Sequence, residues 1–168
     1  DVNRSQSSND TIPTAIHVAA AEVLAVGVLP ALRQLSATLG DCIERHGRHV
    51  KTGRTHLMDA VPVTLAQEFG AWRSQVDAAV ARLESVLPRL LRLAQGGTAV
   101  GTGLNAPPGF GEAVAEELAA RTGLAFAAAE DRFAAIAAQD TAVELSAQLR
   151  GAALVLACTA LGLPGGVV

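Results

Sequence analysis

Polar side chains crowd the start of the chain, just before its first apolar helical pattern. Residues 5–10 read Ser-Gln-Ser-Ser-Asn-Asp. Hydroxyl and amide donors beside the unpaired N–H groups of a helix start suit a carboxylate or a phosphate. Their position also allows a simpler interpretation, in which the side chains only cap the helix. Ser7, Ser8 and Asn9 are therefore candidate binding residues, with plain N-capping as the alternative.

A second segment combines a flexible residue, a cation, a hydroxyl and an imidazole. These are Gly53, Arg54, Thr55 and His56, within a polar stretch over residues 47–62. Such a set can bind an anion and move a proton near neutral pH. The alternative is a surface histidine or one with a structural hydrogen bond. Thr55 and His56 are the second pair of candidates.

Two further patterns carry no ligand-binding prediction. Residues 96–103, GGTAVGTG, resemble a phosphate-binding loop. They follow a predicted helix instead of a strand and lack the lysine of that motif, so we reject nucleotide binding. His17, His46 and His49 have no metal-binding partners at ligand spacing. We therefore expect no metal and no cofactor.

Long helices must position these candidates. Aromatic residues make up only 3% of the chain, while alanine and leucine dominate, which favours helices over strands. Apolar residues at helical spacing predict helices over residues 12–46, 63–94, 112–122 and 132–161, with loops over 47–62 and 95–111. Helices this long have apolar faces that one small domain cannot cover, which predicts an oligomeric bundle.

Prolines and capping residues predict where the first helix starts and bends. Asp10 or Thr11 is expected as its N-cap, and Pro13 is expected in the first turn, where a missing N–H costs nothing. Pro30 lies well inside the pattern and is expected to kink the helix.

Charge and composition exclude several partners. A net charge of −3 and a pI near 5.8 leave no basic surface for nucleic acid. The polar start shows no secretion signal, and two cysteines favour a reducing compartment, so we expect a cytoplasmic protein. The uncharged tail over residues 151–168 approaches membrane-span length, but its glycines and Pro164 favour a bundle helix, so we expect no membrane partner.

Three stretches carry a family resemblance. Residues 2–17 (VNRSQSSNDTIPTAIH), 53–69 (GRTHLMDAVPVTLAQEF) and 94–105 (AQGGTAVGTGLN) resemble, in order, two signature stretches and the glycine-rich loop of the fumarase/aspartase superfamily in its class II fumarase form. Residues 137–146 also look more like fumarases than aspartases. The resemblance covers about residues 2–150.

This resemblance implies an all-α fold, a long-helix bundle that is the central helical domain of the family, with a twenty-helix core in a homotetramer. Residues 1–168 would be part of that domain, with the family's N-terminal domain and C-terminal region absent. The family's mobile loop with its proton-abstracting serine, which ends in lysine and asparagine, is absent too, and Lys51 is the only lysine. We therefore expect the chain alone to be inactive.

The resemblance also implies an activity, the tricarboxylic acid cycle hydration of fumarate to L-malate. Water adds in the anti sense through a carbanion or aci-carboxylate intermediate. Ser7, Ser8 and Asn9 would bind a substrate carboxylate, Thr55 would hydrogen-bond the substrate, and His56 would position or activate the water. Different subunits would supply the two groups. The alternatives are a segment of an aspartate ammonia-lyase and a noncatalytic helical oligomerisation module.

Overall fold

Helices dominate the computed structural model, which describes residues 4–160, and two short pairs of strands interrupt them. The predicted all-α class is confirmed. Parts of three predictions lie outside the described residues. These are residues 2 and 3 of the first signature stretch, residue 161 at the end of the last predicted helix, and the tail beyond it. In chain order the elements are α1 Ser8–Glu22, a π-helical turn Val23–Val28, α2 Leu29–His46, β1 Val50–Thr55, β2 Met58–Thr64, α3 Leu65–Leu90, β3 Arg92–Leu93, α4 Phe110–Thr122, β4 Ala127–Ala128, α5 Arg132–Ala137 and α6 Asp140–Ala160.

The first helix begins earlier than its apolar pattern. Ser7 is the N-cap, so the predicted cap at Asp10 or Thr11 is wrong. A serine followed three residues later by an acidic side chain forms a capping box, and this local chemistry starts the helix inside the polar run. Pro13 consequently lies inside α1 and not in its first turn. Its ring nitrogen has no hydrogen to donate to the carbonyl of Asn9, one turn earlier.

Pro30 falls in the first turn of α2, where its missing N–H is tolerated. The π-helical turn Val23–Val28 precedes it, and such turns are a common way to relieve the hydrogen-bond ladder. The helix thus continues past the proline, and the kink expected at Pro30 stays a prediction. The π-helical geometry of Val23–Val28 accommodates the interruption of the backbone hydrogen bonds near Pro30.

A β-hairpin replaces the predicted loop over residues 47–62. β1 and β2 pair antiparallel, from Val50 opposite Thr64 to Thr55 opposite Met58. The prediction failed because glycine and proline suggested irregular backbone. Gly53 instead lies at a bulge, where a Cβ atom would be 2.7 Å from the carbonyl oxygen of Val61.

The chain divides into two compact units, each built from separate stretches of sequence. The first unit comprises residues up to Gly27 and Ser85–Ser146, and its core includes Leu24, Leu90, Leu93 and Phe126. Within it α1 packs against β3 and α5, and β3 pairs in parallel with β4. Arg89 near the end of α3 forms an ion pair with Glu144 of α6, which raises the pKa of that arginine.

Among the described residues, the second unit comprises Val28–Glu84 and residues 147–160. Leu32, Val76, Val80 and Leu83 are buried in its core. Ser36 of α2 donates a hydrogen bond of 2.5 Å to Oδ1 of Asp77 in α3. The assignment of residues 1–168 to part of one larger helical domain stays a prediction.

Two helical runs among the described residues, Ser8–His46 and Asp140–Ala160, are long and apolar enough to cross a membrane by length and composition alone. The core helix of a soluble protein meets the same test, so this is weak evidence. Four exposed apolar side chains lie along the first run: Ile12, Ile16, Val23 and Val26.

Candidate functional site

The first turn of α1, residues Ser7–Asp10, is held by a capping box and is called here the capped turn. The hydroxyl oxygen of Ser7 accepts from the backbone N–H of Asn9 at 3.2 Å, and Oδ1 of Asp10 accepts from the N–H of Ser7 at 2.9 Å. A hydroxyl has one proton to donate and two lone pairs to accept with. Ser7 can therefore cap the helix and still offer its O–H to a ligand.

Ser8 and Asn9 do not cap the helix, so capping explains only part of this cluster. Both residues are exposed. Within residues 4–160 the Ser8 hydroxyl makes no hydrogen bond. The side-chain amide of Asn9 donates to the carbonyl of Ala99 at 2.7 Å, which leaves its second N–H for another acceptor. The capped turn thus presents side-chain donors where the helix dipole favours negative charge.

Asp10 connects the capped turn to the glycine-rich loop (residues 95–109), and its carboxylate is fully buried. Its Oδ2 accepts from the backbone N–H of Gly96 at 3.1 Å and of Thr98 at 2.8 Å, with the side chain of Gln95 at 3.4 Å. Sequence reasoning considered Asp10 only as an N-cap. Its spacing from Ser7 is a capping-box signal, but no local pattern indicates partners 86 and 88 residues away.

The glycine-rich loop, residues 95–109 between β3 and α4, follows a backbone path that needs glycine where it meets Asp10. Gly96 has a φ of +92°, and a Cβ atom there would lie 2.8 Å from the Cα of Gly111. Residues 93–98 are all buried. The amides of Gly96 and Thr98 donate to Asp10, so the loop contributes to the capped turn instead of cradling a ligand with those two groups.

The second pair of candidates lies at the end of the hairpin. Thr55 is the last residue of β1, and His56 and Leu57 form the turn, with φ values of +50° and +58°. Positive φ at both turn residues matches the tight type I′ hairpin turn, which normally uses asparagine and glycine. Both residues are exposed, Leu57 by 95%. The hairpin turn (His56 and Leu57) therefore holds the imidazole outward in a strained backbone conformation.

Carboxylates offset the two cations of the hairpin. Nζ of Lys51 lies 2.6 Å from a carboxylate oxygen of Glu68 in the first turn of α3. Nε of Arg54 lies 3.0 Å from Asp59 on the opposite strand. The anion-binding role considered for Arg54 is weakened by this partner, and the imidazole and hydroxyl remain the chemically available groups.

Ser7, Ser8 and Asn9 lie together in the first unit, and Thr55 and His56 lie together in the second. That the two groups act in one site stays a prediction. Among the described residues, no three or more His, Cys, Asp or Glu side chains could hold a metal ion together. A shallow depression lined by Gly101 and residues 130–133 contains none of the predicted site residues.

An ion pair beside the loop shifts one carboxyl group. Glu112, in the first turn of α4, pairs with Arg132 at 2.5 Å. A hydrogen bond from its own backbone amide has the largest effect and lowers the pKa of Glu112. Burial opposes this effect, and the charge and hydrogen bond of Arg132 lower the pKa further. Arg132 also packs against the loop, since a Cβ atom on Gly97 would lie 3.2 Å from the Cβ of Arg132.

Comparisons with known proteins agree with the resemblance. A family model described as Lyase matches residues 1–160. The class II fumarate hydratase 1 of Pseudomonas aeruginosa is 52% identical over 155 residues, which cover 92% of this chain and 33% of that protein. The chain thus spans about a third of the length of this relative.

Solved structures give the same result. The class II fumarase of Schistosoma mansoni superposes with a TM-score of 0.89 at 38% identity, over 94% of this chain and 36% of that one. A fumarate lyase:delta crystallin of Brucella melitensis superposes with a TM-score of 0.86 at 36% identity, over 97% and 35%. The chain belongs to the lyase family, as a segment related to the class II fumarate hydratases of the fumarase/aspartase superfamily.

Proposed function

We propose that this chain supplies part of the active site of a fumarate hydratase, a carbon–oxygen lyase that reversibly hydrates fumarate to L-malate. The sequence identity to a class II fumarate hydratase carries the proposal, and the geometry of the capped turn supports it. The chain is 52% identical to a class II fumarate hydratase, and its own candidate donors, Ser8 and Asn9, are exposed at a helix N-terminus fixed by a buried carboxylate. Cytoplasmic location and a role in the tricarboxylic acid cycle belong to the same proposal.

The capped turn is the proposed carboxylate site. Fumarate is a dianion, and the first turn of α1 combines the positive end of the helix dipole with the donors of Ser7, Ser8 and Asn9. Negative charge moves into a carboxylate as water adds to the double bond. Donors held in place before reaction stabilise that charge more than they stabilise the substrate, and this difference lowers the barrier.

The hairpin turn is the proposed water site. Hydration adds the oxygen of water to one alkene carbon and a proton to the other, so the water must lose a proton as it attacks. An exposed imidazole can accept a proton near neutral pH. His56 takes this role, and the hydroxyl of Thr55 hydrogen-bonds the substrate beside it.

Because the chain covers about a third of its relatives, activity is tested best in a complete enzyme. The matching segment of the Pseudomonas aeruginosa relative is replaced by this chain, and the purified chimera is assayed with fumarate, malate and aspartate. We expect malate formation without ammonia release from aspartate. Faster deamination of aspartate would favour the ammonia-lyase alternative, and an inactive but folded chimera would favour the noncatalytic module. The isolated 168-residue chain is expected to be inactive.

The proposal includes a homotetramer whose sites combine residues of different subunits. Two impaired chimeras, His56→Asn and Ser8→Ala, are mixed, dissociated and reassembled. Some sites in the hybrid tetramers then carry neither substitution and should recover partial activity. Each variant reassembled with itself is the control. Activity that never exceeds the controls, despite verified subunit exchange, would assign each site to one subunit.

A further inference from the structure

Asp10 is a buried side chain that contacts no substrate in the proposed mechanism, although it lies beside the substrate donors. Every contact it makes with the backbone is with an N–H group: Ser7 on one oxygen, Gly96 and Thr98 on the other. Backbone amides only donate, so both carboxylate oxygens must accept. Burial of this carboxylate without such partners would be strongly unfavourable, which indicates that the arrangement is built as a unit.

Three hydrogen bonds to Asp10, two of them from backbone amides, and one from Asn9 join the capped turn to the loop. The side-chain amide of Asn9 donates to the carbonyl of Ala99, the residue directly after Thr98. Asp10 and Asn9 are consecutive in α1, and their backbone partners all lie within residues 96–99 of the loop. Neighbouring contacts of this kind fix an orientation as well as a distance, since rotation of the turn would break both sets.

We infer that Asp10 is a positioning residue, which locks the capped turn to residues 96–99 and so fixes the direction in which Ser8 and Asn9 present their donors to the substrate carboxylate. The inference rests on the proposed function. It assigns the glycine-rich loop a supporting role, in which Gly96 allows the backbone to approach Asp10 closely. A merely stabilising role for Asp10 would change the folded fraction without changing how the folded enzyme binds fumarate.

The test uses Asp10→Asn in the active chimera. Asparagine has the same shape but replaces one acceptor oxygen with an NH₂ donor, which must face either the amide of Ser7 or those of Gly96 and Thr98. We expect the KM for fumarate to rise about 10 to 100-fold and kcat to fall at least as much, because displaced donors hold the substrate carboxylate less well and lose still more of their stabilisation of the charge that develops in it. Circular dichroism confirms that the assay temperature leaves the variant folded.

Asp131→Asn is the matched control. Asp131 is the N-cap of α5, and a single oxygen, Oδ1, accepts from the amides of Phe133 and Ala134. Asparagine keeps that oxygen and caps helices about as well as aspartate. The same substitution should therefore leave KM within about twofold at Asp131, whereas at Asp10 it must disrupt the contacts of one of the two oxygens.

A double-substitution cycle separates positioning from general damage. If Asp10 acts through Asn9, Asp10→Asn should reduce kcat/KM far less in an Asn9→Ala background than in the unsubstituted chimera. Equal losses in both backgrounds would contradict the inference.

Gly96→Ala disturbs the same contact from the loop side. It replaces Asp10→Asn as the test if that variant does not fold. Its Cβ would displace the loop from Gly111, and KM should again rise about tenfold or more. A folded variant of either kind with KM within about twofold of the unsubstituted chimera overturns the inference while the proposed function stands. If neither variant folds, Asp10 is structural and the inference is also overturned. An inactive unsubstituted chimera defeats the proposed function itself.

Discussion

The capped turn and the hairpin turn show two different ways to hold candidate functional side chains. The capped turn is fixed by a buried carboxylate with partners at both ends, and its neighbours in the loop are buried. The hairpin turn is exposed, and its geometry depends on two residues with positive φ. One segment is organised by its tertiary contacts, and the other by local backbone geometry alone.

This difference suits the two proposed tasks. Binding a carboxylate needs several donors in fixed directions, which a buried network provides. Proton transfer needs one accessible imidazole, which a strained turn can present. A two-stranded hairpin is only marginally stable by itself, and Val50, Met58 and Val61 are exposed on this one. We expect the assembled enzyme to support the hairpin more than the capped turn.

The largest effect is expected at the hairpin turn. His56→Asn in the active chimera should lower kcat by about 10² to 10⁴-fold, because proton transfer loses its acceptor. His46→Gln is the control, since His46 is an exposed histidine at the end of α2 outside the proposed site. A loss of less than tenfold in steady-state assays would show that His56 is not the group that handles the water proton.

Replacement of a carboxylate should reduce the free energy of unfolding more in the capped turn than in the hairpin. Asp10→Asn in the isolated chain should reduce the free energy of unfolding by about 3 kcal/mol, since buried donors are left facing a donor. Asp59→Asn should change it by less than about 1 kcal/mol, because its ion pair with Arg54 is exposed on both sides. Urea titrations followed by circular dichroism at one protein concentration measure both. Equal losses would contradict the contrast between a buried network and a surface pair.

Backbone strain in the hairpin turn predicts a stabilising substitution. Leu57→Gly removes a left-handed non-glycine residue, a gain of about 1 kcal/mol for the hairpin. Hydrogen exchange of the β1 and β2 amides in the isolated chain should slow about fivefold, since exchange follows local opening. Met58→Gly, in the adjacent strand, is the control and should speed exchange because glycine weakens strands. Faster exchange in Leu57→Gly would show that its backbone is not strained.

The smallest effect concerns acid sensitivity beside the loop. The folded pKa of Glu112 is lowered, so its contribution to stability is present above its ordinary value of 4.5 and disappears as the pH falls through the folded pKa. Glu112→Gln should cost only a few tenths of a kcal/mol, about the value of an exposed ion pair, at neutral pH. Thermal unfolding curves of the variant and the parent chain should converge below that range. A stability difference between the variant and the parent chain that grows on acidification would show that the pKa of Glu112 is not lowered.

Periodicity and composition predicted most of the helices, because a helix is specified by residues three and four positions apart. The spacing of Leu83 and Leu87 predicted the later part of α3 in this way, and Phe110–Thr122 lies close to the helix expected there. The single helix expected over residues 132–161 is instead two helices, α5 and α6. Two signature stretches and the glycine-rich loop were sufficient to predict the family, since each is a continuous segment. The candidates Ser7, Ser8, Asn9, Thr55 and His56 came from the same local information.

Tertiary structure alone decided what those candidates contact. The hairpin was mistaken for a loop because strand pairing depends on a partner strand, and the bulge at Gly53 obscured the alternation. The role of Asp10 was not predicted because its decisive partners, Gly96 and Thr98, lie in the second stretch of the first unit, 86 and 88 residues away in sequence. Local patterns specify which backbone each segment prefers. Hydrogen bonds between distant segments form only when packing brings them together, so the buried network around Asp10 follows from the fold.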